Sequence, residues 1–264
     1  MKCAIITGGS RGIGRAICLK LAEEKNYHLL INYTSNEALA NETLEKVKEL
    51  GTTGEILKFD VSNAEETTNV LTDWQDKNPD AIVEVIINNA GMMRLIDLQD
   101  QSLDLENINR EIATNLTGTI QMVHQFLPHL LKQKSAGIVN VTSGIAFMSY
   151  SPAPIYSATK AGVRAYTQAL RLQLEDTNVK VFEMIPPGVK TNLQNDWVKQ
   201  PNERMMMNAD DMVKVAIDGL LKDKKELKPL PIRIIKFATR LIPNVLLNFG
   251  HKEFKEIKKL QNSN

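Results

Sequence analysis

Tyr156 and Lys160 stand four residues apart in "YSATK", positions 156–160. On a helix that spacing puts both side chains on one face, so a phenol and an ammonium reach the same ligand. A free phenol titrates near about 10 and exchanges protons poorly at neutral pH. A neighbouring ammonium stabilises the phenolate and lowers that value. Tyr156 then serves as general acid for a forming alcohol, or as base in the reverse direction. Ser143, in "NVTSG", ends an apolar run, and its hydroxyl can hydrogen-bond the same carbonyl oxygen. The Tyr-x-x-x-Lys spacing alone is common on helix surfaces, so the pair acquires meaning only from what positions it.

The second chemical feature is "TGGSRGIG" at 7–14. It follows a short apolar run and opens a helical pattern. Gly8, Gly12 and Gly14 let the backbone turn sharply and approach a ligand. The helix beyond presents free N–H groups and a positive dipole end, which suit a pyrophosphate. An NAD-binding site carries an acid about 20 positions further on, for the ribose hydroxyls. Here that place reads Ile31, Asn32, Tyr33, Thr34, without a carboxylate, and the turn itself carries Arg11. A missing acid and an available guanidinium both favour a 2′-phosphate, hence NADP(H) over NAD(H). Glu37 lies close in sequence but is expected in the solvated first turn of the next helix.

The elements that must hold these residues alternate. "CAIIT", "HLLINY", "EILKFDV", "AIVEVIINNAG", "GIVNVTS" and "VKVFEMI" read as strands. Helical patterns at 14–25, 36–51, 63–77, about 104–134, 155–176 and about 209–222 separate or follow them. Gly51 stops the second helix, and Asn63 N-caps the third. The run "ELKPLPIRII" at 226–235 is expected to hold a last strand. This alternation implies one doubly wound α/β domain spanning 1–264: a parallel, Rossmann-like sheet in a three-layer α/β/α arrangement. Ligands in such folds sit beyond the carboxyl ends of the strands, where each polar cluster named here falls.

Bulk properties narrow the classes. Hydrophobic residues make up 43% and the formal net charge is +1, so nothing argues for nucleic acid. Cys3 and Cys18 lie in apolar segments and read as buried thiols. His28, His124, His129 and His251 lack metal-ligand spacing, so no metal is expected. No signal peptide and no apolar run of spanning length is legible, which makes a soluble cytoplasmic protein the expectation.

A glycine turn after the first strand, "NNAG" after the fourth, Ser143 after the fifth and Tyr156/Lys160 on the next helix occur in this order. The sequence therefore resembles a classical short-chain dehydrogenase/reductase over roughly positions 1–220. The resemblance implies hydride transfer between a nicotinamide and a carbonyl or alcohol carbon. By motif it assigns Thr7, Gly8, Ser10, Arg11, Gly12, Ile13 and Gly14 to the pyrophosphate and adenosine side, with Tyr33 at the end of the second strand. Asp60 and Val61 match the adenine contact, and Asn89, Ala90 and Gly91 the turn lining the cofactor. Asn115 matches the asparagine of the proton relay, beside Ser143, Tyr156 and Lys160. Lys160 also holds the nicotinamide ribose. Pro187, Gly188, Val189 and Thr191 match the nicotinamide-side loop. The family's habit implies a homodimer or homotetramer.

The early part, "INYTSNEALANETLEKVKELG", resembles bacterial 3-oxoacyl-acyl-carrier-protein reductases. Later stretches such as "DLENINREIATNLTG" and "KFATRLIPN" resemble a branch labelled as lipoteichoic-acid D-alanylation oxidoreductases, a label that fixes no substrate. The substrate loop is expected at about 189–212, with Met92, Met93 and Arg94, and Met205–Met207 as a candidate apolar pocket. The tail from 222 to 264 holds eleven Lys/Arg against four Asp/Glu. It reads as a basic amphipathic segment, for which packing on the body or a second subunit is favoured over membrane contact. The expected function is NADP(H)-dependent oxidation or reduction of a small carbonyl or secondary alcohol substrate. The alternative is a non-catalytic NADP(H)-binding protein that works through its tail.

Overall fold

The computed structural model describes residues 1–194, 197 and 200–261, with the backbone alone at 205, 249 and 261. Parts of the expected substrate loop and the end of the tail therefore lie outside the described residues.

Seven parallel strands form one sheet: β1 (Lys2–Ile6), β2 (His28–Tyr33), β3 (Gly54–Lys58), β4 (Ile82–Asn88), β5 (Ala136–Val141), β6 (Val179–Met184) and β7 (Glu226–Leu227). Their spatial order is β3-β2-β1-β4-β5-β6-β7. The order reverses between β1 and β4, which opens a crevice at the carboxyl ends of these two strands. The near-continuous apolar runs of the central strands follow from burial on both faces.

Helices α1 (Gly12–Glu24), α2 (Glu37–Glu49) and α7 (Ala209–Leu221) cover one face, around Ile17, Val47 and Met212. Helices α3 (Ala64–Lys77), α5 (Gly118–Leu130) and α6 (Pro154–Gln173) cover the other, around Trp74, Met122 and Leu170. Cys3 and Cys18 are buried free thiols. The Asn63 side chain caps α3 by accepting from the Glu66 N–H at 3.1 Å, and Asn36 caps α2 in the same way.

Two regions differ from the sequence expectation. The stretch expected as one helix from about 104 to 134 divides into α4 (Leu105–Ile112), a π-helical turn at Ala113–Thr117, and α5. Such turns insert one residue into the helical ladder and are frequent at functional sites. The expected strand at 226–235 is only two residues long. Pro229 and Pro231 cannot donate to a ladder, and Pro231 instead occupies the first turn of α8 (Leu230–Leu241). A further helix, α9 (Pro243–Gln261), lies across the loop at 96–99: Lys258 pairs with Asp97 at 2.8 Å. Among the described residues no helix is long and apolar enough to cross a membrane.

Candidate active site

The crevice begins at the turn after β1. Gly8 and Gly12 hold φ of +63° and +56°, backbone that a side chain would strain. At Gly14 a Cβ would stand 2.1 Å from the Gly8 carbonyl oxygen, so helix and turn could not meet this closely. Buried Thr7 clamps the turn to β4: its Oγ1 accepts from the Asn89 and Ala90 N–H groups at 2.9 and 3.0 Å. The Asn89 side chain donates back to the Thr7 carbonyl at 2.9 Å.

Asn32, which the sequence offered only as a missing acid, is a second clamp. Its Oδ1 accepts from the Gly8 N–H at 3.0 Å, and its Nδ2 donates to the Phe59 carbonyl at 2.8 Å. The legible sign was a polar residue within the apolar run of β2.

A cleft of about 420 Å³ runs from this turn to Tyr156 and Lys160. Gly8, Ser10, Arg11, Gly12, Ile13, Tyr33, Asp60, Val61, Asn89, Ala90, Gly91 and Thr191 all line it. At its end nearest β2 Arg11 stands with Thr34, Ser35 and Asn36. Asp60 is the acid on the wall, and its Oδ1 is engaged by the Ser62 N–H and hydroxyl at 2.9 and 2.7 Å. Glu37 opens α2 in solvent, beside buried Tyr33. Burial first, then Glu37, raises the Tyr33 phenol.

The loop after β6 differs in detail from its expected role. Pro186, rather than Pro187, lines the cleft beside Thr191. Val189 turns into the core, and the Gly188 carbonyl accepts from the Met207 N–H at 2.9 Å. Met207 packs on that same core, so the methionine run contributes a brace there. The Met205 side chain lies outside the described residues.

Tyr156, Lys160 and Ser143 converge at the other end. Pro154 starts α6 and β5 ends at Val141, which brings the first turn of α6 over the strand's carboxyl end. Lys160 is buried, and its Nζ donates to the Val141 carbonyl at 2.9 Å. Burial pushes this amine down to about 8. Nζ stands 5.7 Å from the Tyr156 ring centroid.

The expected lowering of the phenol by Lys160 is absent. Burial pushes Tyr156 up, a hydrogen bond with Ser143 opposes that, and the Glu111 carboxylate adds to the rise. With Nζ turned to a carbonyl, desolvation of the ring decides the outcome. Tyr156 is a neutral phenol at physiological pH, as a free phenol is, and burial makes it a weaker acid than a free one.

Asn115 sits in the π-helical turn, fully buried. Its side chain closes a pair with the Met92 backbone, accepting at 2.9 Å and donating at 2.8 Å, and donates to Thr159 on α6 at 3.2 Å. The turn thereby fixes both the loop after β4 and α6.

Glu111 escaped the sequence reading. It is fully buried on α4, and neither carboxylate oxygen has a hydrogen bond of good geometry. The Arg94 backbone N–H approaches it, and the Arg94 guanidinium is held nearby by the Asn107 carbonyl at 2.8 Å. Burial pushes Glu111 up to about 7, against the opposing charge of Arg94. Its legible sign was the spacing of four residues from Asn115, which puts both on one helix face. Around the phenol, Met93 and Ala153 form an apolar collar with Leu95, Ile145, Tyr150, Leu193 and Trp197. Among the described residues no group of three or more His, Cys, Asp or Glu forms a metal site.

Fold and cleft together define a dinucleotide-binding α/β protein. Residues 2–202 match the family model for short chain dehydrogenases. A relative described as "Uncharacterized oxidoreductase DltE", from Bacillus subtilis, is 33% identical over 237 residues, covering 89% of this chain and 91% of that protein. A short-chain dehydrogenase/reductase from Burkholderia phymatum in complex with NAD superposes with a TM-score of 0.79 at 22% identity, over 92% of this chain and 95% of that one. One from Sphingobium yanoikuyae in complex with NADPH superposes at 0.76 and 23% identity, over 97% and 96%. The protein belongs to the short-chain dehydrogenase/reductase family and is an oxidoreductase of that family.

Proposed function

We propose that the protein is an NADP(H)-dependent carbonyl reductase or alcohol dehydrogenase that uses Tyr156 as its acid/base. One observation carries this reading: Ser143, Tyr156 and Lys160 stand together at one end of a cleft whose other end carries Arg11 and no unengaged carboxylate. The cleft fits a dinucleotide. Its floor is a glycine turn that side chains would fill, and its buried Lys160 has one protein acceptor and donors to spare for a ribose.

The solved relatives hold NAD in one case and NADPH in another, so the choice between them rests on this chain's own residues. Arg11 would take the 2′-phosphate, the first turn of α1 the pyrophosphate, and Lys160 the nicotinamide ribose. Bound there, NADPH supplies the hydride. Ser143 orients the carbonyl by donating a hydrogen bond to its oxygen. Tyr156, a neutral phenol, donates the proton to that oxygen. Asn115 keeps the loop and α6 in register, and the apolar collar excludes water and favours a substrate with apolar substituents. We assign the protein to the cytoplasm as a homodimer or homotetramer.

Fluorescence titration with NADPH and then NADH tests the cofactor, followed by ketone-dependent NADPH oxidation. Tighter NADPH binding and turnover are expected. A preference for NADH would overturn the role of Arg11, and binding of neither would remove the reading.

A further inference from the structure

The tail leaves an apolar surface without a partner. On α8, Leu230, Ile234, Phe237 and Leu241 are 65%, 60%, 65% and 65% exposed. Their spacing gathers them into a stripe roughly 60° wide along the helix. Ile242 and Val245 continue it into the start of α9, at 48% and 60% exposure. The opposite side of α8 is fixed to the body. Ile232 is fully buried against Gly144, and Lys236 pairs with Glu226 at 2.6 Å. The stripe therefore belongs to a held helix.

The surrounding charge selects what covers it. Arg233 and Arg240 fall along one border of the stripe, exposed and without an ion pair among the described residues. Between Glu226 and Glu253 the chain carries no acidic residue, and apart from Lys228 and Lys236, which pair with Glu226, its basic residues there are Arg233, Arg240 and Lys252. A second copy meeting this surface would set basic against basic. The stripe is the ridge of a helix, not a groove shaped for side chains. A ridge of large apolar residues bordered by free arginines matches a bilayer with anionic headgroups, where apolar chains enter the acyl boundary and arginines meet phosphate.

We propose that α8 docks the protein on an anionic membrane surface, with Ile234 and Phe237 inserted and Arg233 and Arg240 at the headgroups. On its other side the helix packs on the turn that follows Ser143. The proposal is independent of the reductase reading.

The test is co-sedimentation of the full chain with vesicles of phosphatidylglycerol and phosphatidylcholine, and with phosphatidylcholine alone. Sedimentation with the anionic vesicles only is expected, lost at high salt. Ile234→Glu with Phe237→Glu should lower the partition at least about tenfold, and Arg233→Gln and Arg240→Gln about fivefold each. NADPH binding, read by fluorescence, should stay unchanged in all of them. Failure of the wild type to sediment with anionic vesicles would overturn the proposal, as would equal binding by the variants. So would a fall in oligomer mass of the Glu variants in sedimentation velocity, which would assign the stripe to a second copy.

Discussion

Lys160 and Arg164 lie one turn apart on α6, and both are largely buried, yet they keep different company. Arg164 sits between Glu183 at 2.6 Å and Glu226 at 3.2 Å, with its guanidinium 4.2 Å from the Phe147 ring centroid. Glu183 is completed by the Thr142 hydroxyl at 2.9 Å, and Glu226 by Lys236 and Lys228. Each charge there has an opposite partner. Burial alone would raise Glu226, but hydrogen bonds from Lys228 and Lys236 outweigh it and hold the carboxyl down at about 2. One turn away, Lys160 has only a carbonyl, and Glu111 has no good donor. Paired buried charge joins β6, β7 and α8 into one body. Unpaired buried charge leaves titration values displaced toward neutrality, the condition of a site that exchanges protons.

The largest expected effect breaks the site alone. Tyr156→Phe should keep NADPH affinity and lower turnover by about 10²–10⁴, measured as ketone-dependent oxidation. Turnover within about tenfold of wild type would remove the phenol from the mechanism.

Breaking the paired cluster should instead cost stability. Glu183→Ala leaves Arg164 short of a partner and should cost about 3–5 kcal/mol in urea unfolding. A loss under about 1 kcal/mol would mean that the cluster does not brace the fold.

The two glutamates should respond to pH with opposite sign. Glu111 is raised in the folded state to about 7 from 4.5, so the folded protein holds the extra proton between these values and loses stability as pH rises through them. Glu226 is lowered to about 2 from 4.5, so its stabilisation is present above 4.5 and is lost as pH falls toward 2. Glu111→Gln should therefore gain about 1–3 kcal/mol at pH near 8 and nothing at low pH. Glu226→Gln should lose a similar amount at neutral pH. Thermal melts across pH measure both, and slopes of the same sign would end the contrast.

The smallest effect lies at the adenosine end. Arg11→Ala should weaken NADPH about tenfold and leave NADH nearly unchanged, by fluorescence titration.

Much of the frame was legible because it depends on local rules. β1, the glycine turn, the Asn63 cap and the Tyr156/Lys160 spacing each follow from neighbouring residues. The last expected strand is present but ends after Glu226–Leu227, because the two prolines that follow bar a longer ladder. The π-helical turn was illegible because the extra residue is accommodated by Asn115 bonding to the Met92 backbone, a contact between distant segments. Asn32 and Glu111 were passed over for a related reason: a single polar residue gains its role from what surrounds it in space.

The sequence by itself determined the alternation of strands and helices, the glycine turn and the pair four apart on a helix, since periodicity and backbone chemistry act over a few residues. The tertiary structure alone decided that burial raises the Tyr156 phenol and that Lys160 and Arg164 differ. It also decided that α8 turns an apolar ridge outward. Burial and charge pairing are set by segments that meet only when the sheet is assembled, and desolvation depends on that surrounding volume rather than on sequence neighbours.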